Sequence, residues 1–178
     1  MTDRHCGDCT LCCRLLPVRT LGKGAGERCR HQFSRGCRVY HKPSHGFPAE
    51  CGLWSCKWLT DPATAALRRP DRSHYVIDAV PDMIRVTNSA TAEVHEMPCL
   101  QIWLDPGFPE AWQDPALFAF IEASGKPALI RRDQTEGFGI FPPSVTGETK
   151  FAVSGNTKSV PSITGSRRLD HLTAEKAV

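Results

Sequence analysis

No stretch of the 178-residue chain approaches the roughly 18 consecutive apolar residues that a membrane-spanning helix needs. The segment from Met1 to Cys13 also lacks the apolar run of a secretory signal, so the expectation is a cytoplasmic protein that does not enter a membrane. Charge of one sign is scarce. Twenty-two Lys and Arg against nineteen Asp and Glu leave only +3, too little for a whole-molecule field that would draw the chain to nucleic acid or anionic lipid. Aromatic residues are 8% of the chain, and they do not interleave with Arg as in an RNA- or DNA-binding module. Nucleic acid is therefore not expected as a partner. A glycine-rich nucleotide loop following a strand is missing, and no internal repeat is present. With 14 Gly and 14 Pro spread along the chain, turns must be frequent, which argues against a long helical bundle.

What the chain has in excess is cysteine, and it is unevenly placed. Eight of the nine lie before residue 59: Cys6, Cys9, Cys12, Cys13, Cys29, Cys37, Cys51 and Cys56. Such density marks either a disulfide scaffold or a metal domain, and a reducing compartment favours thiolates holding metal. Charge divides along the same line. Residues 1–58 carry ten basic and four acidic side chains, whereas residues 59–178 carry twelve and fifteen. Four thiolates around one divalent ion leave a site at −2, and neighbouring Arg and Lys offset that charge and donate hydrogen bonds to sulfur.

Three segments are expected. Residues 1–60 form a cysteine-cluster metal-binding region, 61–142 an α+β core packed with it as one domain, and 143–178 a polar C-terminal segment that is partly flexible, its last dozen residues loose. Between Cys29 and Cys51 the chain is polar and rich in Gly, Pro and His, too poor in apolar surface to fold unaided, so metal cross-links replace a core there. Trp54 and Trp58, four apart, are expected on one helix face, shielding the site. Thr60-Asp61-Pro62 either closes that element or opens a helix through Ala63 to Leu67. Beyond Tyr75, strand-like stretches occur at 75–80, 83–87, 92–96, 100–104, 128–131 and 137–141, with an edge strand near 150–153. Asp114-Pro115 reads as an N-cap with Pro at the first helical position, opening an amphipathic helix that Gly125 closes. The fold class expected is α+β, a small metal-organised N-terminal cysteine region packed on a small antiparallel or mixed sheet with one or two helices.

Cys6-x2-Cys9-x2-Cys12 has the spacing of the first three ligands in a bacterial ferredoxin loop, but Cys13 follows at once where a fourth ligand three residues on would stand. Adjacent side chains diverge, so Cys12 and Cys13 serve different metals or one of them is structural. Eight thiolates suffice for two four-ligand sites or one larger cluster, with His5, His31, His41 and His45 as possible substitutes; zinc and iron both accept such ligands.

The run Cys6-Gly7-Asp8-Cys9-Thr10-Leu11-Cys12-Cys13, followed by Leu16-Pro17-Val18, Cys29-Arg30-His31, Gly36-Cys37-Arg38-Val39-Tyr40 and Cys51 through Cys56-Lys57-Trp58-Leu59, resembles the bacterial CxxCxxCC cysteine-cluster family. That group is often called YkgJ-like and is described as a zinc- or iron-chelating domain. The resemblance implies metal ligation by all eight early cysteines and a cofactor that is zinc or an iron–sulfur cluster. Lys42-Pro43 stands where such proteins often have Arg-Pro, and the spacing to Cys51 is longer.

Two functions follow as expectations. The first is a metal-binding accessory or interaction module, not an enzyme by itself, with a possible protein partner; the second is a redox or catalytic iron–sulfur protein. A zinc hydrolase needs three ligands, an open position and a base. Cys29, His31 and Cys37 with Glu27 or Glu50 offer those residue types without fixing their geometry. His41 and His45 are four apart, but Pro43 lies between them and no Glu follows His41, which excludes the helical zinc-protease motif. Cys99, beside Leu100, Ile102 and Trp103, is expected as a free buried cysteine. No catalytic residue is assigned.

Overall fold

The computed structural model describes residues 4–34, 36–87, 92–154, 157–158 and 168–173. The N-terminal third consists of short pieces: α1 (Leu11–Leu15), a two-stranded hairpin of β1 (Gln32–Phe33) and β2 (Gly36–Cys37), α2 (Ala49–Leu53) and α3 (Lys57–Thr60). Then follow α4 (Pro70–Ser73), β3 (Tyr75–Ile77), β4 (Asp82–Thr87), β5 (Val94–Leu104), α5 (Pro115–Ser124), β6 (Ala128–Arg131), β7 (Glu136–Phe141), α6 (Pro143–Thr146), β8 (Ala152–Val153), β9 (Thr157–Lys158) and β10 (Arg168–Thr173).

The sheet is larger than the sequence suggests. Eight strands form one mixed sheet in the order β10-β4-β5-β6-β7-β8, with β3 also on β5 and β9 also on β7, and six α-helices are present among the described residues. The expectation of a small sheet with one or two helices is corrected accordingly. One reason is that 92–96 and 100–104 are not two strands but parts of β5, which continues through Pro98. The proline falls where β5 is paired with β4 alone, before β3 and β6 join it at Leu100–Leu104, so its missing N–H can face away from a ladder. Short polar elements such as β9 and β10 carry no apolar alternation to announce them. Of the last dozen residues, Arg168–Thr173 pair in parallel with β4; the others lie outside the described residues.

The strongest local signals are realised. Asp114 caps α5 by accepting from the Ala116 N–H at 3.0 Å, Pro115 occupies its first turn, and Gly125 ends it at φ 61°. The helix carries the chain from β5 to the parallel strand β6. Asp61 closes α3 and caps only a single 3₁₀ turn, Pro62–Thr64, by accepting from Ala63 N–H.

β3 and β4 lie end to end along one edge of β5. Ile77 pairs with Ile102 and Asp82 with Cys99, so five residues of chain on one side span three on the other, and the extra backbone bulges at residues 78–81. Alternation then assigns the faces. Tyr75, Ile77, Ile102, Leu104 and Ile130 pack with Leu117, Phe120 and Ile121 of α5 on one face. Val76 and Trp103, on the other, pack with Leu11, Leu15, Leu16 and Cys56.

That second cluster overturns the metal-organised N-terminal region. The cysteine-rich third is held by its own apolar core seated on the sheet, Leu15 being 2% exposed and Val76 fully buried. Polar ties add to it. The Arg4 guanidinium donates to the carbonyls of Trp58, Thr64 and Ala65 and to the Thr64 hydroxyl, with its cation over the Trp58 ring. The leucines around Cys12 and Cys13 are enough to dock the segment, and metal is not what organises this fold.

Candidate functional site

The eight early cysteines reach one place from separate segments. Cys6 and Cys9 bound a tight turn closed by the Cys9 N–H on the Cys6 carbonyl at 2.9 Å, with Gly7 at φ 56°. Cys12 and Cys13 lie in α1, Cys37 in β2, Cys51 in α2, and Cys29 just before the hairpin. Cys56 bridges to Asp78 in the bulge of the sheet edge, immediately before α3. All eight line a single cavity of about 380 Å³, together with His31, Tyr40, His41, Phe47, Trp54, Trp58 and Arg69. His5 and His45 do not line it. All nine cysteines are free thiols.

Hydrogen bonds fix the walls. Gln32 donates to the Thr10 hydroxyl at 2.8 Å, tying the hairpin to α1. The Glu50 carboxylate accepts from the N–H groups of Arg19 and Thr20, tying α2 to the loop after α1. Trp54 Nε1 donates to Asp78 at 2.7 Å and Trp58 Nε1 to the Leu67 carbonyl at 3.0 Å. The two tryptophans share the cavity but not a helix face, because the chain turns extended at Trp54, after α2 and before α3.

The thiols differ in acidity. Donation from the Cys12 S–H holds Cys13 down at about 7, with Lys23 assisting against the effect of burial, and the same hydrogen bond together with burial pushes Cys12 well up. Burial raises Cys51 and Cys56 to about 11, and raises Cys6, Cys9 and Cys37 as well. Cys99 stands apart. It is fully buried between β4 and β6 with Ile84, Leu129 and Phe141, and burial lifts it to about 12.

Among the described residues, no group of three or more His, Cys, Asp or Glu side chains could hold a metal ion as they stand. All eight early cysteines line the cavity, and the residue types match zinc or iron in kind: thiols in excess, with His31 and His41 alongside. A change of χ1 between staggered wells re-aims a cysteine sulfur without moving backbone.

Arg69, Lys23 and Asp78 were not legible as site residues. Arg69-Pro70 reads as a helix stop, yet Arg69 lines the cavity and clamps the Cys6–Cys9 turn by bonding Asp8 at 2.7 Å and Asp71 at 2.6 and 2.7 Å. Those bonds hold the Asp71 carboxyl below the usual carboxylate range, outweighing burial. Because the folded value is lowered, the pair's contribution is complete above the ordinary pKa of about 3.9 and fades as pH falls through the folded value. In Arg69→Gln, the Asp71 midpoint measured by NMR is expected to return towards about 3.9. Equal midpoints in the two proteins would remove the clamp.

Compared with family models, curated proteins and solved structures, the chain matches none.

Proposed function

We propose that the chain binds zinc or an iron–sulfur cluster in the cysteine cavity and acts as an accessory or interaction module without a reaction of its own, as a member of the CxxCxxCC cysteine-cluster group. The observation that carries this reading is the convergence on one cavity of eight free thiols from separate elements. Buried thiols that merely fill a core do not need a common cavity, and Cys99 is the contrasting case in this same chain. Ligands are Cys6, Cys9, Cys12, Cys13, Cys29, Cys37, Cys51 and Cys56; bound thiolates would carry negative charge that Arg69 and Lys23 offset. When present, the metal supplies cross-links between elements, or in the cluster case a site for one electron. The protein's own residues hold and shield it: Trp54 and Trp58 wall the cavity while bonded elsewhere through their indole N–H groups.

Anaerobic purification followed by metal and acid-labile sulfide analysis and a visible spectrum tests this. Bound zinc without a visible band selects the zinc form; iron with matching sulfide and a visible band selects the cluster, and reversible bleaching of that band by reductant would favour a redox protein over an accessory module. Single Cys→Ser changes at Cys12 and Cys13 are expected to lower the metal content. A chain that retains neither metal after reconstitution sinks the proposal.

A further inference from the structure

Between Glu27 and Glu50 the sequence holds five Lys and Arg and no Asp or Glu. The two carboxylates that bound this run are spent on backbone: Glu27 accepts from the Gly24 N–H at 2.9 Å, and Glu50 from the N–H groups of Arg19 and Thr20. Within the run the fold separates two sets of residues. Cys29, His31, Cys37, Tyr40, His41 and Phe47 line the cysteine cavity, whereas Arg28, Arg30, Arg38 and Lys42 are exposed and do not line it. The four stay close together. The Arg38 N–H on the His31 carbonyl at 2.9 Å prolongs the β1–β2 hairpin, and the Lys42 N–H on the Val39 carbonyl, also at 2.9 Å, closes a turn just after it. Arg30 donates to the neighbouring His31 imidazole at 3.4 Å, and among the described residues no carboxylate pairs with any of the four. Charge that serves thiolates belongs on the cavity wall, where Arg69 stands; charge on the outer rim is open to another molecule.

Apolar surface adjoins those cations. Tyr40, 53% exposed, packs with His41 at 4.1 Å and with Phe47 at 5.7 Å between ring centroids. Phe47 in turn lies against α2, its ring 3.3 Å from where a Cβ on Gly52 would stand, and Leu53, the next residue, is 89% exposed. The three rings are inclined to one another by 52–79°, which makes a knob and not the row of open faces on which bases stack. Residues 59–178 are net acidic and repel a long polyanion beyond the patch. A short acidic stretch of a protein suits both observations.

We propose that this rim of the cavity docks an acidic segment of a partner protein, its carboxylates against Arg28, Arg30, Arg38 and Lys42 and an apolar side chain against Tyr40 and Leu53. The proposal rests on the interaction-module reading above and supplies the partner's chemistry.

Short random peptides displayed on phage are the probe, panned on the full wild-type chain. Selected peptides are expected to combine an excess of acidic residues with large apolar ones and to bind more weakly as salt rises. They should bind Arg38→Glu combined with Lys42→Glu at least about tenfold more weakly, since like charges then meet. Lys126→Glu combined with Lys150→Glu makes the same change of net charge elsewhere on the exposed surface and is expected to keep wild-type affinity. Metal content should be equal in all three proteins. Panning that enriches nothing, peptides without an acidic excess, equal affinity in R38E/K42E and wild type, or equal loss in the two double variants each overturn the proposal. So does tighter binding of oligothymidylate than of the selected peptides, which assigns the patch to nucleic acid. Loss of metal together with peptide in R38E/K42E makes those cations part of the metal site and overturns docking alone. A wild-type chain that binds peptide but no metal overturns the metal site alone. If circular dichroism shows the charge reversals to unfold the chain, Arg38→Gln combined with Lys42→Gln carries the same comparison.

Discussion

Arg131→Met is expected to cost about 3–5 kcal/mol of stability, the usual result of removing one partner from a buried ion pair. Arg131 and Asp82 are joined at 2.9 Å with side chains 4% and 3% exposed, on the face of the sheet that carries the cysteine region. The Asp82 carboxylate also accepts from the Met83 N–H at 2.9 Å, so it is held in place and cannot swing to solvent when Arg131 is lost. Urea unfolding with an unchanged m-value measures the loss. Asp82→Leu combined with Arg131→Met should recover most of it, because a buried pair replaced by apolar side chains is close to neutral. A single-variant loss under about 1 kcal/mol would mean that water reaches the pair and the burial is not real.

Trp103→Ala is expected to cost a similar amount, about 3–5 kcal/mol, and to act on the cysteine region as well. Trp103 is 2% exposed and meets Leu11, Leu15, Leu16 and Cys56 on one side, with the Arg131 guanidinium over its ring at 5.2 Å. Its removal takes away the largest side chain on which the N-terminal third sits. Alkylation of Cys9, Cys12 and Cys56, mapped by peptide mass spectrometry, should therefore accelerate at denaturant concentrations where the sheet is still folded. Thiols that stay protected would show that the cysteine region stands without the sheet. Since Trp103 and Arg131 are in contact, the two losses should not add.

The sequence made α5 and the inner strands readable because each is a local matter. Asp114, Pro115 and Gly125 mark the helix ends, and the alternation of Tyr75 to Ile77 or Ala128 to Arg131 needs no distant partner to be seen. The extent of the sheet was not readable, because β5 runs through a proline whose tolerance depends on which edge is paired. The cysteine region was misjudged for a related reason. Leu11, Leu15, Leu16, Val18 and Leu21 read as apolar enough to anchor the first cysteines against a core, but they do not tell which surface receives them, since Val76 and Trp103 lie far along the chain. Candidate ligands could be named from spacing, and the cavity gathers all eight. Their electrostatic setting could not. Lys23 sits in a glycine-rich loop and Arg69 beyond the cysteine region, and only the folded backbone brings either charge to the thiols.

The slip between β3 and β4 is two residues, not one, and parity follows from that. An odd slip would have turned Asp82 and Ile84 to the face of α5, away from Arg131, which is fixed opposite Trp103 on the other face. With an even one, both halves of this interrupted edge keep the same side inward. The sheet thus yields a doorstep for Cys56 and Trp54 without giving up its two-faced pattern, and the cysteine region is joined to it at a place where the chain has length to spare.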